Sequence, residues 1–177
     1  MTLGVGDKFP TSINPKYVPY TKENDKLTAC ANPIELNLAK EFAGKTVVVT
    51  AVPGAFTPTC TEQHIPDYLK NLQAFKDKGV SRIIVLSAND PFVLSAWGKA
   101  LGYKEEENFI VFANDPLAKI SSELGDKYTA DLSSVGFGVR TARYAGIVVD
   151  GKITFLQNED ELGFTEISSS KNILDRI

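Results

Sequence analysis

Cysteine and histidine are nearly absent: 177 residues hold two cysteines, Cys30 and Cys60, and a single histidine, His64. Three such side chains fall short of a four-ligand zinc site, so a metal centre of that kind has no support. A basic excess is missing too. Nineteen Lys and Arg stand against 22 Asp and Glu, a net charge of −3. That argues against nucleic acid or an anionic membrane as the main partner, because both need concentrated positive charge. No apolar run approaches the ~20 residues that span a bilayer. The opening MTLGVGDKFP carries no charged or apolar leader region, and the closing Asp175-Arg176-Ile177 is no peroxisomal or retention tripeptide. The expectation is a cytoplasmic protein, whose two cysteines serve catalysis, metal binding or packing rather than a structural bridge.

What is present is enough for a full core. A hydrophobic fraction of 43% and a charged fraction of 23% are those of a folded domain, and the length suits one domain over residues 1–177. The run Glu105-Glu106-Glu107 reads as a solvated loop or helix end. The first forty residues have turn chemistry and predict irregular or hairpin structure. Residues 46–52, TVVVTAV, predict a strand buried on both faces. Residues 59–78 have helical spacing, with Pro66 expected to kink them. A second buried strand is predicted over 82–88, a helix over 92–101, a short strand over 109–112 and a helix over 117–124. Asp150-Gly151 between two β-rich runs, 144–149 and 152–156, is a strong two-residue hairpin signal. A helix over 166–174 closes the pattern. Strands alternating with helices and then a hairpin predict an α/β fold with a mixed central sheet.

Chemistry concentrates in residues 52–64, VPGAFTPTCTEQH, where a buried strand hands over to a helix. Open α/β sheets place their active sites at such junctions. Thr57 and Pro58 suit an N-cap and first helical position, while Thr59 and Glu62 offer a second register as a capping box. In either register Cys60 lies in the first turn, where free backbone N–H groups and the macrodipole favour a thiolate, the reactive form of the thiol. The plain alternative is a small buried apolar residue, a common fate of free cysteine. A helix-start cysteine alone names no reaction.

The spacing Pro53-(x)3-Thr57-(x)2-Cys60, within FTPTCT and followed by His64 and Pro66, resembles the signature of peroxiredoxins of the type-5, redoxin-like class. Asn89-Asp90-Pro91-Phe92, Trp97, Ala113-Asn114-Asp115-Pro116 and Arg143-Tyr144-Ala145 extend the resemblance over nearly the whole chain. It is similar in particular to the fungal thioredoxin-dependent alkyl hydroperoxide reductases. The resemblance implies a thioredoxin-like fold, no cofactor, and hydrogen peroxide and organic hydroperoxides as substrates. It implies Cys60 as the peroxidatic nucleophile, which becomes a sulfenic acid. Thr57 would hydrogen-bond thiolate and peroxide, Arg143 would stabilise the thiolate and the leaving oxygen, and Pro53 would shape and dry the pocket. Cys30 matches the resolving cysteine of the fungal subgroup, which forms a disulfide with Cys60 across a homodimer, with thioredoxin, or glutaredoxin, as reductant; the alternative is an inert Cys30 and a one-cysteine enzyme that depends on an external thiol.

Taken singly, Arg143 would read as a surface ion pair, and Arg140 is its neighbouring competitor. His64, four residues past Cys60, shares its helix face. A Cys–His hydrolase dyad lacks a third group to orient the base, so packing near the site is the preferred reading. Trp97 is expected to fill space beside the pocket. Ile120 stands where the class often carries an aromatic at the pocket edge, which would keep an apolar wall there. A different reading of the same reactive thiol is a redox relay that passes oxidation to partner proteins.

Overall fold

A computed structural model describes all 177 residues. In the first forty, β1 (Lys16–Tyr17) pairs antiparallel with β2 (Ile34–Glu35). A short helix that the sequence pattern did not announce, α1 (Leu38–Phe42), follows; Asn37 Oδ1 accepts from Lys40 N and caps it. The β-branched run becomes β3 (Thr46–Ala51). Its helix starts at Pro58, passes through a π-helical turn over Cys60–His64, and continues as α2 (Ile65–Lys70) and α3 (Leu72–Asp77). The irregularity expected at Pro66 thus falls in the turn before it, where Ile65 N reaches back five residues to Cys60 O. A second break comes at Asn71, whose side-chain amide donates to Asp67 O.

The chain then runs β4 (Val80–Ser87), α4 (Pro91–Ala100), β5 (Ile110–Asn114) and α5 (Lys119–Leu124). Asp90 caps α4 by accepting from the backbone N–H groups of Phe92 and Val93. Next come β6 (Thr129–Leu132) and β7 (Gly138–Thr141), a separate antiparallel pair absent from the sequence expectation. Their residues are half-exposed for the most part, so no apolar run marks them. β8 (Tyr144–Val149) and β9 (Lys152–Asn158) form the predicted hairpin. Asp150 and Gly151 both take positive φ, 48° and 78°, as a type I′ turn requires. The last helix, α6 (Ser170–Leu174), is shorter than the predicted 166–174, and residues 159–169 form a loop instead.

The main sheet has the order β2-β1-β5-β4-β3-β8-β9, parallel across β5-β4-β3 and antiparallel elsewhere. This is the mixed α/β sheet the alternation predicted. Successive strand residues serve opposite faces. Val48 and Ile83 pack with Ile65, Tyr68, Leu94 and Trp97, while Val47, Val49 and Ile84 pack with Phe42, Ile120 and Leu124. Fully burying one such aliphatic side chain contributes about 1.5–3 kcal/mol. Because Cys60 belongs to the first of these clusters, its surroundings are set by core packing.

α4 lies tightly on β5. A Cβ at Gly98 would come within 2.8 Å of the Phe112 ring. Gly98→Ala gains roughly 1 kcal/mol of helix propensity but forces an overpacking cost of about 1–3 kcal/mol. A net loss of stability is expected, read as a lower urea midpoint.

Candidate active site

The loops after β3 and β4 are tied together by Asn89. Its Oδ1 accepts from Ala55 N at 2.8 Å and from Ser87 Oγ at 2.7 Å, and its carbonyl accepts from the Asn114 side-chain amide at 2.8 Å. Three neighbouring strand ends are thereby held in one place. The turn 53–58 descends from this knot. Phe56 sits in it at φ 59°, a left-handed conformation rare for a residue with a Cβ. Thr57 O accepts from Thr61 N, so the helix takes the register that begins with Pro58, and Thr59 forms no side-chain cap. The Thr57 hydroxyl donates to Gly54 O at 2.7 Å. Its proton goes to the backbone in this structure, and the thiol takes its hydrogen bond from elsewhere.

Cys60 is 1% exposed and borders a pocket of ≈ 430 Å³. Pro53, Thr57, Arg140 and Arg143 line the same pocket, and Leu132, Phe137 and Leu162 supply its apolar wall. Pro53, Thr57 and Arg143 are the residues the resemblance pointed to, and Arg140 is the competitor ranked behind Arg143; the apolar wall comes from the unannounced β6–β7 hairpin and the 159–169 loop. Ile120 is not part of it. That residue is fully buried on the other side of the sheet, and the exposed apolar residue of its segment is Leu117, held at φ 56°.

Arg143, just ahead of β8, is 2% exposed. Its Nη2 donates to Cys60 Sγ at 3.2 Å, Nη1 to His64 Nδ1 at 2.8 Å, and Nε to Leu162 O at 3.1 Å. No carboxylate comes within ion-pair distance of it. Arg140, the competitor, lies at the mouth instead, donating to Phe137 O at 2.8 Å and to Pro53 O at 3.5 Å. Trp97 is buried, as expected for a space-filling residue, and its indole N–H also donates to Thr61 Oγ1 at 3.1 Å.

His64 has a defined tautomer. The Thr50 hydroxyl donates to Tyr144 O at 3.1 Å, so it must accept at 2.9 Å from His64 Nε2–H. Nδ1 is then bare and accepts from Arg143. Burial, reinforced by the Arg143 charge, pushes the His64 pKa well below 6.5. The ring stacks on Phe164 at 5.0 Å. His64 therefore faces the arginine rather than the thiol, and a Cys–His dyad does not form.

The loop 159–169 holds Leu162 O and Phe164 in place. Glu159 accepts from the N–H and hydroxyl of both Thr165 and Ser168. Burial raises the Glu159 pKa, but these four donors outweigh it and hold the carboxyl below its usual value. Cys30 is apart from all of this: it is exposed, and its Sγ lies 3.8 Å from Thr28 O. No three His, Cys, Asp or Glu side chains cluster as metal ligands would, and no helix is long and apolar enough to cross a membrane.

Residues 4–174 match the family model described as Redoxin. The chain is 49% identical over 155 residues to a putative peroxisomal peroxiredoxin of Lipomyces kononenkoae, covering 88% of this chain and 90% of that one. It is 38% identical over 177 residues to the peroxiredoxin Pen c 3 of Penicillium citrinum, with both chains fully covered. The chain belongs to the peroxiredoxin family. The crystal structure of reduced Prx3 from Vibrio vulnificus in complex with hydrogen peroxide superposes with a TM-score of 0.80 at 34% identity, covering 98% of each chain. The fold of this peroxiredoxin is thus thioredoxin-like, its activity is that of a thiol peroxidase, and it takes a peroxide as substrate and electrons from a reductant.

Because His64 binds its proton less well folded than unfolded, the unfolded state carries the extra proton below pH ~6.5, and stability falls as pH drops. His64→Gln keeps an acceptor toward Arg143 and a donor toward Thr50 but does not titrate. The wild type is expected to lose up to about 1.4 kcal/mol per pH unit relative to this variant below pH ~6.5. Urea unfolding of both between pH 7 and 5 measures it.

Proposed function

We propose that this peroxiredoxin reduces hydrogen peroxide and alkyl hydroperoxides through a Cys60 thiolate. The observation that carries the reading is Arg143. A guanidinium keeps its charge, and a buried charge demands a partner. Its other two acceptors, Leu162 O and neutral His64 Nδ1, carry no charge, so Cys60 is the one contact that can supply the anion. The Cys60 thiolate attacks the terminal peroxide oxygen, the S–O bond forms as O–O breaks, and the departing alkoxide or hydroxide takes a proton from water. Arg143 then faces the charge leaving the sulfur and growing on that oxygen. With its hydrogen given to Gly54 O, Thr57 Oγ1 retains lone pairs to accept from the peroxide O–H. Pro53 walls the pocket and limits water. The pocket's apolar side, Leu132, Phe137 and Leu162, supports organic hydroperoxides as substrates and enzymatic turnover over a pure relay.

Cys30 is proposed as the resolving thiol, acting between two copies of this single-domain chain. Strands β2 and β3 stand four places apart in the sheet, about 19 Å at ~4.8 Å per strand. Cys30 lies before β2 and Cys60 after β3, while a disulfide needs Cα atoms within ~7 Å. That favours a homodimer. Phe56, Phe92 and Leu117, exposed large apolar residues that follow the ends of β3, β4 and β5, supply a face suited to it. Thioredoxin is the proposed reductant, with glutaredoxin the other dithiol source. An exposed free cysteine suits the reducing cytoplasm.

Cys60→Ser is expected to abolish peroxide consumption, and Arg143→Gln to slow its second-order rate about 100-fold; near wild-type rates in Cys60→Ser would refute the reading. Cys30→Ser should react once with peroxide and then stall with thioredoxin. Non-reducing mass mapping after one equivalent of peroxide should find Cys30 linked to Cys60 of a second chain.

A further inference from the structure

Lys99 is the one buried lysine of the fold, 5% exposed on α4. Its Nζ donates to three backbone carbonyls of one loop: Asn24 O at 2.9 Å, Lys26 O at 2.9 Å and Ala29 O at 3.0 Å. An ammonium has three N–H donors and no acceptor, so these three bonds saturate it. No carboxylate lies within ion-pair distance. A buried charge met only by carbonyls of a single loop works chiefly on that loop. The last of the three carbonyls belongs to the peptide bond that joins Ala29 to Cys30.

Two residues earlier on the same helix, Trp97 donates to Thr61 Oγ1, beside Cys60. At ~100° per residue, side chains two apart leave a helix in nearly opposite directions. One rigid element thus grips the neighbour of each cysteine. Residues 25–30 are otherwise sparingly held: Lys26, Leu27, Thr28 and Cys30 are exposed, and the remaining polar ties in the stretch are the contacts of Asp25 with Tyr20 and Lys104, an Ala29 N–H to Lys26 O, and the long Cys30 Sγ–Thr28 O approach.

We infer that Lys99 is a positioning residue for the resolution step, its ammonium holding the 24–29 loop so that Cys30 is presented to the oxidised Cys60 of a second copy. The inference rests on the resolving role proposed for Cys30. In that step the Cys30 thiolate attacks the sulfenic sulfur of Cys60. The S–S bond forms, the S–O bond breaks, and the departing hydroxide takes up a proton to become water. Without the clamp the loop explores many conformations, each encounter is less productive, and the sulfenic acid persists long enough to meet a second peroxide and become sulfinic.

Lys99→Met keeps the aliphatic stem and removes every donor; Lys99→Gln keeps one amide group. Trp97 fluorescence in stopped flow follows both steps. The first phase, reaction with peroxide, should stay within about twofold of wild type, and the second, disulfide formation, should slow about tenfold in Lys99→Met, the equivalent of ordering about one backbone residue. At steady state kcat falls while kcat/KM for hydrogen peroxide holds, and sulfinic Cys60 appears by mass at lower peroxide. A merely structural lysine would leave both phases alone or slow both. Wild-type resolution in the variants, or equal loss in both phases, overturns the inference. Should Lys99→Met not fold, Lys99→Gln carries the same test. Cys30→Ser in parallel separates the two readings: if it turns over undiminished, the resolving role itself falls. If it stalls while the Lys99 variants resolve at the normal rate, only the clamp falls.

Discussion

A guanidinium cannot shed its proton, so a fold that buries one must surround it with acceptors and an opposing charge. Arg143 sets this condition for the whole site. One arm is fixed by a backbone carbonyl from the 159–169 loop, one by an imidazole and one by the thiol. Each of those partners is itself held by something else: the loop by Glu159, the imidazole by Thr50, the thiol by the core around β3. Loosening any of the three costs more than one hydrogen bond, because it leaves a buried cation partly unanswered.

The π-helical turn serves the same condition. Cys60 and His64 open and close that widened turn, four residues apart, and both face one guanidinium. π-turns are rare and concentrate at functional sites. Pro66, which lacks an N–H, sits two residues beyond and fits a place where the regular ladder is already interrupted.

Legibility followed chain locality. Pro53, Thr57 and Cys60 stand within eight residues of one another, and turn chemistry plus capping preferences by themselves put the cysteine at a helix start. Arg143 is 83 residues from Cys60, and only resemblance singled it out. The function of His64 was out of reach because it depends on a tautomer that Thr50 and Tyr144 impose from other strands. Leu162 contributes a carbonyl, which no side-chain pattern can announce. The central strands were readable because burial on both faces writes a continuous β-branched run, whereas β6 and β7, half in solvent, leave none. Ile120 misled because spacing after Asp115-Pro116 does not reveal that Leu117 and Ala118 both take left-handed backbone and turn the helix inward.

The neutral His64 has one further consequence. Burial and the neighbouring guanidinium hold the imidazole uncharged well below its ordinary range. The imidazole therefore offers Arg143 a lone pair rather than a competing charge. An imidazolium in the same place would set two cations side by side in the core, so the fold keeps the ring in the one form that lets the guanidinium stay.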